Sequence, residues 1–370
     1  MKQLSPRHRN SILGIVLILI AGAVWYLESI SSHHSATGPG AAIPIASMAG
    51  SADRSAIIAQ KAKQYPRAVD FVNPSGFVNT DPFKIQDLIG KKVILIDFWT
   101  YSCINCQRTL PYVTAWYDKY KDQGLEIIGV HTPEFQFEHD INNVKAATQK
   151  YGVKYPVVLD NDYGTWNAFQ NQYWPREYLI DIDGFIVHDH AGEGDYDVTE
   201  KAIQDALKER AQVLGQKEDI KTDMANPTNA ISVDTAQVGS PETYFGSARN
   251  QYFGNGTIGK TGMGQFQVPA ILKDNTFYLD GSWDIQQEYA QTISAGASIS
   301  YKYRAQHVYF VSGSMQPNSV QVYRDGVLVK TISVQANQLY DLVDEKDAGS
   351  HTLKLIIQNP GLQAYTFTFG

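Results

Sequence analysis

The sequence predicts an α/β domain with a largely parallel sheet, followed by an all-β domain that resembles a sandwich or jelly roll. Between residues 91 and 214, short apolar runs alternate with helical patterns, as is typical of βαβ units. From residue 241 onward, helical periodicity gives way to short β-rich runs such as SISYKYR, HVYFVSG and AYTFTFG. A chain of 370 residues that is 43% hydrophobic is long enough for two such cores.

The N-terminal region differs in composition from these domains. Basic residues precede an uncharged, mostly apolar stretch over 10–27, and a small-residue stretch with Pro and Gly follows it. We predict a cytoplasmic N-terminus over 1–10, a transmembrane signal anchor over 11–29 and a flexible linker over 30–60. A cleaved signal peptide is the alternative, although its apolar core is usually only about 7 to 15 residues long. Both interpretations place the C-terminal bulk outside the cytoplasm, on the periplasmic or cell-wall side.

The elements of the α/β domain follow from the local patterns. Apolar runs predict strands at 93–99, 125–131, 155–160, 177–182 and 185–190. Helical patterns predict helices at 103–121, 142–151, 163–173 and 198–214. Asp183-Gly184 between the last two strands is a hairpin signal, so one sheet edge should be antiparallel. The predicted domain covers 61–214, a polar linker covers 215–240, and the β domain covers 241–370.

Two features of the β domain stand out in the sequence. The turn 324–327, Arg-Asp-Gly-Val, lies between two alternating runs and predicts a hairpin. Trp283, Tyr289 and Tyr301 are large aromatic residues in this region. They fit either a sandwich core or a surface that stacks on sugar rings, as in binding to a cell-wall glycan.

The charge of the chain argues against nucleic acid as a partner. The formal net charge is -7 and the pI is near 5.7. No run of Lys or Arg beyond the N-terminus provides the basic surface that phosphate binding needs.

Both cysteines of the chain lie in FWTYSCINCQRTLP, residues 98–111. As a structural disulfide they would close a four-residue loop, worth about 2 kcal/mol in the chain-entropy model against about 3 for fifteen residues. As half of a zinc site they would need two more ligands, which His131 and His139, or His188 and His190, could supply.

A redox-active pair explains the spacing directly. An apolar strand runs through a short turn into a helix that begins near Cys103, so its sulfur should face the positive helix end, which favours the thiolate. Cys106, one turn later, can then attack the mixed disulfide that Cys103 forms with another protein. No cofactor beyond the Cys103 to Cys106 disulfide is predicted, and no metal.

The residues around the cysteines also resemble a known family. LIDFWTYSCINCQRTLPYVTAWYDKYKDQGLEIIGVHTPEF and NDYGTWNAFQNQYWPREYLIDIDG are similar to the thioredoxin-fold domain of DipZ proteins, relatives of the TlpA-like membrane-tethered thioredoxins. The segment after residue 240 resembles the carbohydrate-binding-module-like domain of DipZ proteins, and the whole similarity covers 65–370. DipZ proteins usually carry a multi-helix electron-transfer domain in front. The resemblance implies a thioredoxin-like fold. Because a single anchor is predicted here instead of that multi-helix domain, we expect a separate membrane electron-transfer protein as electron donor.

The resemblance assigns roles to individual residues. Asp97 takes the place of the buried aspartate that moves protons for the second cysteine, and burial should raise its pKa toward neutrality. Pro175 matches the cis-proline that faces the disulfide, and Trp174 would offer backbone groups to an extended substrate. Thr109 departs from the glutamate that TlpA-like reductases often carry there. The remaining substrate-contact surface would come from Tyr101, Ser102, Ile104 and Asn105.

The sequence thus predicts an extracytoplasmic thiol-disulfide oxidoreductase that acts on exported protein disulfides or dithiols, with Cys103 as nucleophile and Cys106 as resolving cysteine. A thiol peroxidase of the same fold is an alternative, although Ile96 stands where the P-x-x-x-T-x-x-C arrangement has proline. A further alternative, from another class, is a cell-envelope glycan-binding protein whose disulfide is passive.

Overall fold

The structure, a computed structural model, describes residues 51–231 and 237–370. The predicted cytoplasmic segment and anchor, and the linker as far as residue 50, lie outside these residues. Within the described ranges no helix is long and apolar enough to cross a membrane. The last part of the predicted linker is not extended, because Ser51–Gln64 is helical. Alanine, glutamine and lysine, all good helix formers, are frequent in this segment.

The first sheet has six strands in the order β1-β4-β3-β2-β5-β6. In chain order the elements are α1 (Ser51–Gln64), β1 (Gly76–Val78), β2 (Val93–Trp99), α2 (Ile104–Tyr120), β3 (Leu125–His131), α3 (Ile141–Lys150), β4 (Val157–Leu159), α4 (Gly164–Ala168), β5 (Arg176–Ile180), β6 (Ile186–Ala191) and α5 (Tyr196–Val213). Only β2, β3 and β4 pair in parallel. At one edge of the sheet, β5 pairs antiparallel with β2 and β6 pairs antiparallel with β5. At the other edge, β1 pairs antiparallel with β4, so the prediction of one antiparallel edge was incomplete.

Strand β2 lies inside this sheet, and all seven of its residues are buried. Leu95 belongs to the hydrophobic cluster on the α2 and α5 face, whereas Ile96 belongs to the cluster on the opposite face, with Trp166 of α4. Because side chains alternate between faces along a strand, Asp97 points to the same face as Leu95. The carboxyl group of Asp97 therefore lies in the interior, on the face of the sheet that α2 covers.

The predicted helix over 163–173 is much shorter in the structure. Helix α4 ends at Ala168, and Gln170 adopts a left-handed backbone with φ of 54°. This conformation does not continue an α-helix. The following residues form the irregular loop that leads to Pro175 and strand β5.

The C-terminal part is all-β, as predicted. Its strands are β7 (Thr243–Tyr244), β8 (Gly262–Phe266), β9 (Phe277–Ile285), β10 (Ala290–Thr292), β11 (Ser298–Ser314), β12 (Asn318–Arg324), β13 (Val327–Val334), β14 (Gln338–Ile357) and β15 (Leu362–Phe369). Hydrogen bonds join them into one nine-stranded sheet of antiparallel pairs around a single hydrophobic cluster. The predicted hairpin is present: Asp325 and Gly326, both with positive φ, connect β12 to β13.

The aromatic residues considered for sugar stacking belong to the interior. Trp283 and Tyr301 are 0% exposed and lie in the hydrophobic cluster of the second sheet. Tyr289 is half-buried, with its ring 5.2 Å from that of Tyr365. The core interpretation is therefore the correct one for Trp283 and Tyr301.

Candidate active site

The two cysteines lie where β2 turns into α2. Cys103 is the N-cap residue of α2, and its carbonyl oxygen accepts a hydrogen bond from the backbone N–H of Gln107 at 3.0 Å. Its side chain is half-buried, whereas Cys106, one turn later, is 1% exposed. Both thiols are free in this structure. A partner molecule can therefore reach the first sulfur but not the second.

The loop before β5 faces the first cysteine. The peptide bond between Trp174 and Pro175 is cis, as the family resemblance implies. The Cys103 Sγ lies 4.0 Å from the carbonyl oxygen of Trp174, and the indole N–H of Trp174 donates to the carbonyl oxygen of Thr132 at 3.1 Å. The loop is thus fixed to the chain segment after β3 and presents its backbone beside the reactive sulfur.

Asp97 lies beneath Cys106 in the interior. It is 1% exposed, and burial raises the pKa of its carboxyl from 3.8 to about 7. Gly129 stands opposite it on β3, where a Cβ atom would lie 2.8 Å from Nε1 of Trp99 and 3.2 Å from the Tyr155 ring. Glycine at this position therefore leaves room for two aromatic rings to shield the carboxyl group.

The thiol of Cys106 keeps its proton in this environment. Burial raises its pKa well above the usual value, and the hydrogen bond and charge of Cys103 and the charge of Asp97 act in the same direction. A carboxyl group whose pKa lies near neutrality can accept the proton that Cys106 must lose before it attacks. The arrangement of a half-buried nucleophile, a buried resolving thiol and a buried base suits stepwise disulfide exchange.

The turn before Cys103 is held by a buried glutamate that the sequence analysis missed. Glu138 is 0% exposed and accepts hydrogen bonds from the backbone N–H and the hydroxyl of Ser102 at 3.3 and 2.6 Å. Its other oxygen accepts from the backbone N–H groups of Glu134 and Phe135 at 2.6 and 3.0 Å. The sequence signal, one of two acidic residues in the aperiodic segment FQFEHD, is too weak to identify this role.

The predicted contact surface around the cysteines is smaller in the structure. Tyr101, Ser102 and Ile104 are 5%, 1% and 4% exposed, so their side chains are largely closed to a partner. Tyr101 stacks on the His131 ring at 5.7 Å and lies 6.0 Å from the ring of Phe137. Asn105 and Trp174, by contrast, are half-buried and remain available at the surface.

The second sheet fixes the segment that carries Glu138. The ring of Tyr365 lies 5.1 Å from Phe135 and 4.9 Å from Phe137. The Glu134 carboxylate accepts hydrogen bonds from the hydroxyl of Tyr244 and from Arg249, both at 2.7 Å. The β domain therefore contacts the same loop that positions the entrance to the cysteine motif.

Two residues of α2 close the site on its other side. Arg108, 2% exposed, forms a bidentate pair with Glu193 at 2.7 Å and also donates to the Asn105 side chain. The Thr109 hydroxyl donates to the carbonyl oxygen of Asn105 and lies 3.3 Å from the Tyr196 hydroxyl. Neutral hydroxyl groups therefore occupy this position.

One group of potential metal ligands occurs among the described residues, and it contains neither cysteine. It consists of Asp181, Asp183 and Glu209. The Lys61 ammonium lies between them, at 2.6, 2.8 and 2.5 Å from their carboxylate oxygens. The lysine offsets part of the negative charge of this cluster and ties α1 to the first sheet.

Comparisons with known proteins agree with this site. Residues 66–189 match the AhpC/TSA family, and residues 240–370 match the family described as thioredoxin like C-terminal domain. Protein DipZ of Mycobacterium bovis and of Mycobacterium tuberculosis is 38% identical over 306 residues, 82% of this chain and 43% of DipZ. The chain thus spans less than half the length of these two relatives.

A shorter relative matches along most of its length. The thiol-disulfide oxidoreductase YkuV of Bacillus subtilis is 34% identical over 124 residues, which cover 34% of this chain and 83% of YkuV. The thiol-disulfide oxidoreductase ResA of Bacillus thuringiensis is 35% identical over 121 residues, 32% of this chain and 66% of ResA. Together with the cysteine motif at the start of α2 and the cis-proline beside it, these matches show that the chain belongs to the thioredoxin-like thiol-disulfide oxidoreductases.

Proposed function

We propose that this chain exchanges disulfides with protein thiols through Cys103 and Cys106. The observation that carries the proposal is the placement of Cys103, half-buried at the start of α2 and 4.0 Å from the backbone of the cis-proline loop. A half-buried reactive sulfur beside the backbone of this loop suits an extended partner segment that pairs with the loop.

In the reducing direction, the thiolate of Cys103 attacks one sulfur of the partner disulfide. A new bond joins Cys103 to the partner, and the partner's second sulfur leaves as a thiolate that takes up a proton. Cys106 then transfers its thiol proton to the Asp97 carboxylate and attacks the sulfur of Cys103. The Cys103 to Cys106 disulfide forms, the partner leaves with two electrons, and the same steps in reverse oxidise a partner dithiol.

Partner recognition is expected at the half-buried rim rather than at the buried turn. The backbone of Trp174 and the Asn105 side chain border Cys103. A cavity of about 320 Å³ is lined by Tyr101, by residues of α3, and by residues 335–338 between β13 and the start of β14. Its amide and tyrosine groups suit hydrogen bonds to a polar partner segment.

The location and the role of the β domain belong to the same proposal. The apolar stretch over 10–27 supports a single-pass anchor over 11–29 with the catalytic bulk outside the cytoplasm. In that place the partners are exported protein disulfides or dithiols, and the electrons come from a separate membrane protein.

The domain over 241–370, for which we propose a jelly-roll arrangement, is a candidate for binding a cell-wall glycan. Fractionation of cells that express the full chain, followed by binding to purified wall material, tests both points.

The exchange activity is tested with insulin as the disulfide substrate. The wild type should reduce insulin in the presence of a thiol donor, Cys103→Ser should lose turnover, and Ser75→Ala, a serine outside the motif, should retain it. Equal turnover in wild type and Cys103→Ser would contradict the proposal. The reduction potential gives the direction, since about -270 mV indicates a reductase and about -120 mV an oxidant.

A thiol peroxidase is the second candidate, and the AhpC/TSA match over 66–189 is the observation that favours it. Thr100, three residues before Cys103, has its hydroxyl 3.5 Å from Nε2 of His131. Measuring hydrogen peroxide consumption and insulin reduction on one preparation separates the two activities. Faster peroxide consumption, lost in Cys103→Ser, would favour the peroxidase.

A further inference from the structure

A row of titratable side chains crosses the first sheet beneath the cysteines. Asp97 on β2 lies directly opposite Glu177 on β5, and Glu177 lies directly opposite His190 on β6. Directly paired residues of antiparallel strands project to the same face, with their Cβ atoms about 4.5 to 5.5 Å apart. Glu177 is therefore the immediate neighbour of the proposed base.

The two carboxyl groups are equally buried, and a hydrogen-bonded route leads from one of them outward. Asp97 and Glu177 are each 1% exposed. The second oxygen of Glu177 accepts from the Thr199 hydroxyl at 3.5 Å, and that hydroxyl lies 3.0 Å from Nε2 of His188. His188 is half-buried on β6, the edge strand of the sheet. The route thus runs from the interior to the sheet edge.

Among the described residues, one oxygen of each of these two carboxyl groups lacks a hydrogen-bond partner. Within the described residues, neither Oδ1 of Asp97 nor Oε1 of Glu177 has a hydrogen-bond partner. Buried polar atoms without a partner are uncommon and often mark functional groups. Since the two side chains are neighbours, a proton on one carboxyl group can bond the other with little movement.

Two neighbouring buried carboxyl groups do not both ionise readily. Burial raises the pKa of Glu177 well above its usual value, and the charge of Asp97 raises it further. The negative charge of either carboxylate therefore opposes ionisation of the other. The other titratable groups that face them are Cys106 from α2, Tyr155 from the segment before β4, Tyr196 from α5, and His188 and His190 from β6.

We propose that Glu177 is a positioning residue for the proton of Cys106, linking Asp97 to solvent through Thr199 and His188. This inference rests on the proposed disulfide exchange. When Cys106 attacks Cys103, its proton moves to the Asp97 carboxylate. In the return step Asp97 gives a proton to Glu177 as Glu177 releases its own toward Thr199 and His188. One proton enters the route, one leaves it, and no electron moves.

The test uses the full chain with Glu177→Gln and Thr199→Val, each close in shape to the native residue. Glu126→Gln is the matched control, because Glu126 is a half-buried glutamate of β3 paired with Ile94, on the opposite face of the sheet. Single-turnover kinetics follow the loss of the mixed disulfide between Cys103 and glutathione from about pH 5 to about pH 9. Carbon NMR of the carboxyl groups follows their titration in the same variants.

We expect two coupled carboxyl titrations in the wild type and a single one, from Asp97, in Glu177→Gln. The resolving step should slow about tenfold in Glu177→Gln and in Thr199→Val, with an altered pH profile, and should keep its rate in Glu126→Gln. The inference is overturned if Glu177→Gln and Thr199→Val both keep the rates, the pH profiles and the Asp97 titration of the wild type; disulfide exchange would then remain intact.

If the wild type itself fails to resolve the mixed disulfide, the proposed function is refuted instead. In that case the titration still tests the coupling, which is refuted if Asp97 titrates in Glu177→Gln as it does in the wild type.

Discussion

Replacement of Asp97 by asparagine should stabilise the fold and slow the chemistry, with the gain in stability appearing only as the pH rises. Burial moves the pKa of this carboxyl from 3.8 to about 7. Between pH 3.8 and about 7 the Asp97 carboxyl is protonated in the folded chain but ionised in the unfolded chain. The stability that this proton contributes is therefore fully present below pH 3.8 and is lost as the pH rises through about 7. About three pKa units at 1.36 kcal/mol each amount to roughly 4 kcal/mol.

The assay is urea unfolding of the reduced protein, followed by tryptophan fluorescence, at about pH 4 and about pH 8. The difference in unfolding free energy between Asp97→Asn and wild type should grow by roughly 4 kcal/mol between these conditions, because the amide never ionises. Asp81→Asn, at an exposed site, serves as the control and should show no such growth. The resolving step should slow by about 100-fold as the base is lost. A stability difference that is the same at both pH values would refute the assignment of Asp97 as a buried, titrating group.

Three further predictions concern other parts of the structure. Cys106→Ser should accumulate a one-to-one mixed disulfide between Cys103 and its partner, visible by mass spectrometry and released by reductant; rapid release without reductant would contradict a resolving role. Lys61→Met should lose about 3 to 5 kcal/mol in urea unfolding, because three carboxylates lose their shared ammonium, whereas the exposed Lys63→Met should change little. Glu138→Ala should lower kcat/KM for insulin about tenfold or more, because the N–H and hydroxyl of Ser102 lose their acceptor, and an unchanged value would exclude positioning by this loop.

The central part of the site was predictable because it is local in sequence. An apolar strand, a turn and a helix place Asp97, Cys103 and Cys106 within ten residues. The pattern predicted the cysteines at the helix start, and the family resemblance assigned the role of Asp97. The cis bond before Pro175 came from the family resemblance, since about 5% of such bonds in folded proteins are cis.

The rest of the site depends on contacts between distant segments. Glu177 reaches Asp97 only through the antiparallel pairing of β5 with β2. A glutamate at the start of the buried run EYLIDI was the available signal, but the sequence does not give the register of that strand. The closure of Tyr101 and Ser102 also escaped prediction, because Glu138 and Phe137 cover them from a loop without periodicity.

The contacts of Tyr365 with Phe135 and Phe137 have a consequence for the order of events during synthesis. The ribosome releases the cysteine motif and the loop after β3 long before it releases Tyr244 and Tyr365. Until then the loop lacks its aromatic neighbours, and local stability is low where buried contacts are few. A nascent chain would therefore present both thiols beside a loop that lacks these aromatic neighbours until the last strands have joined the second sheet.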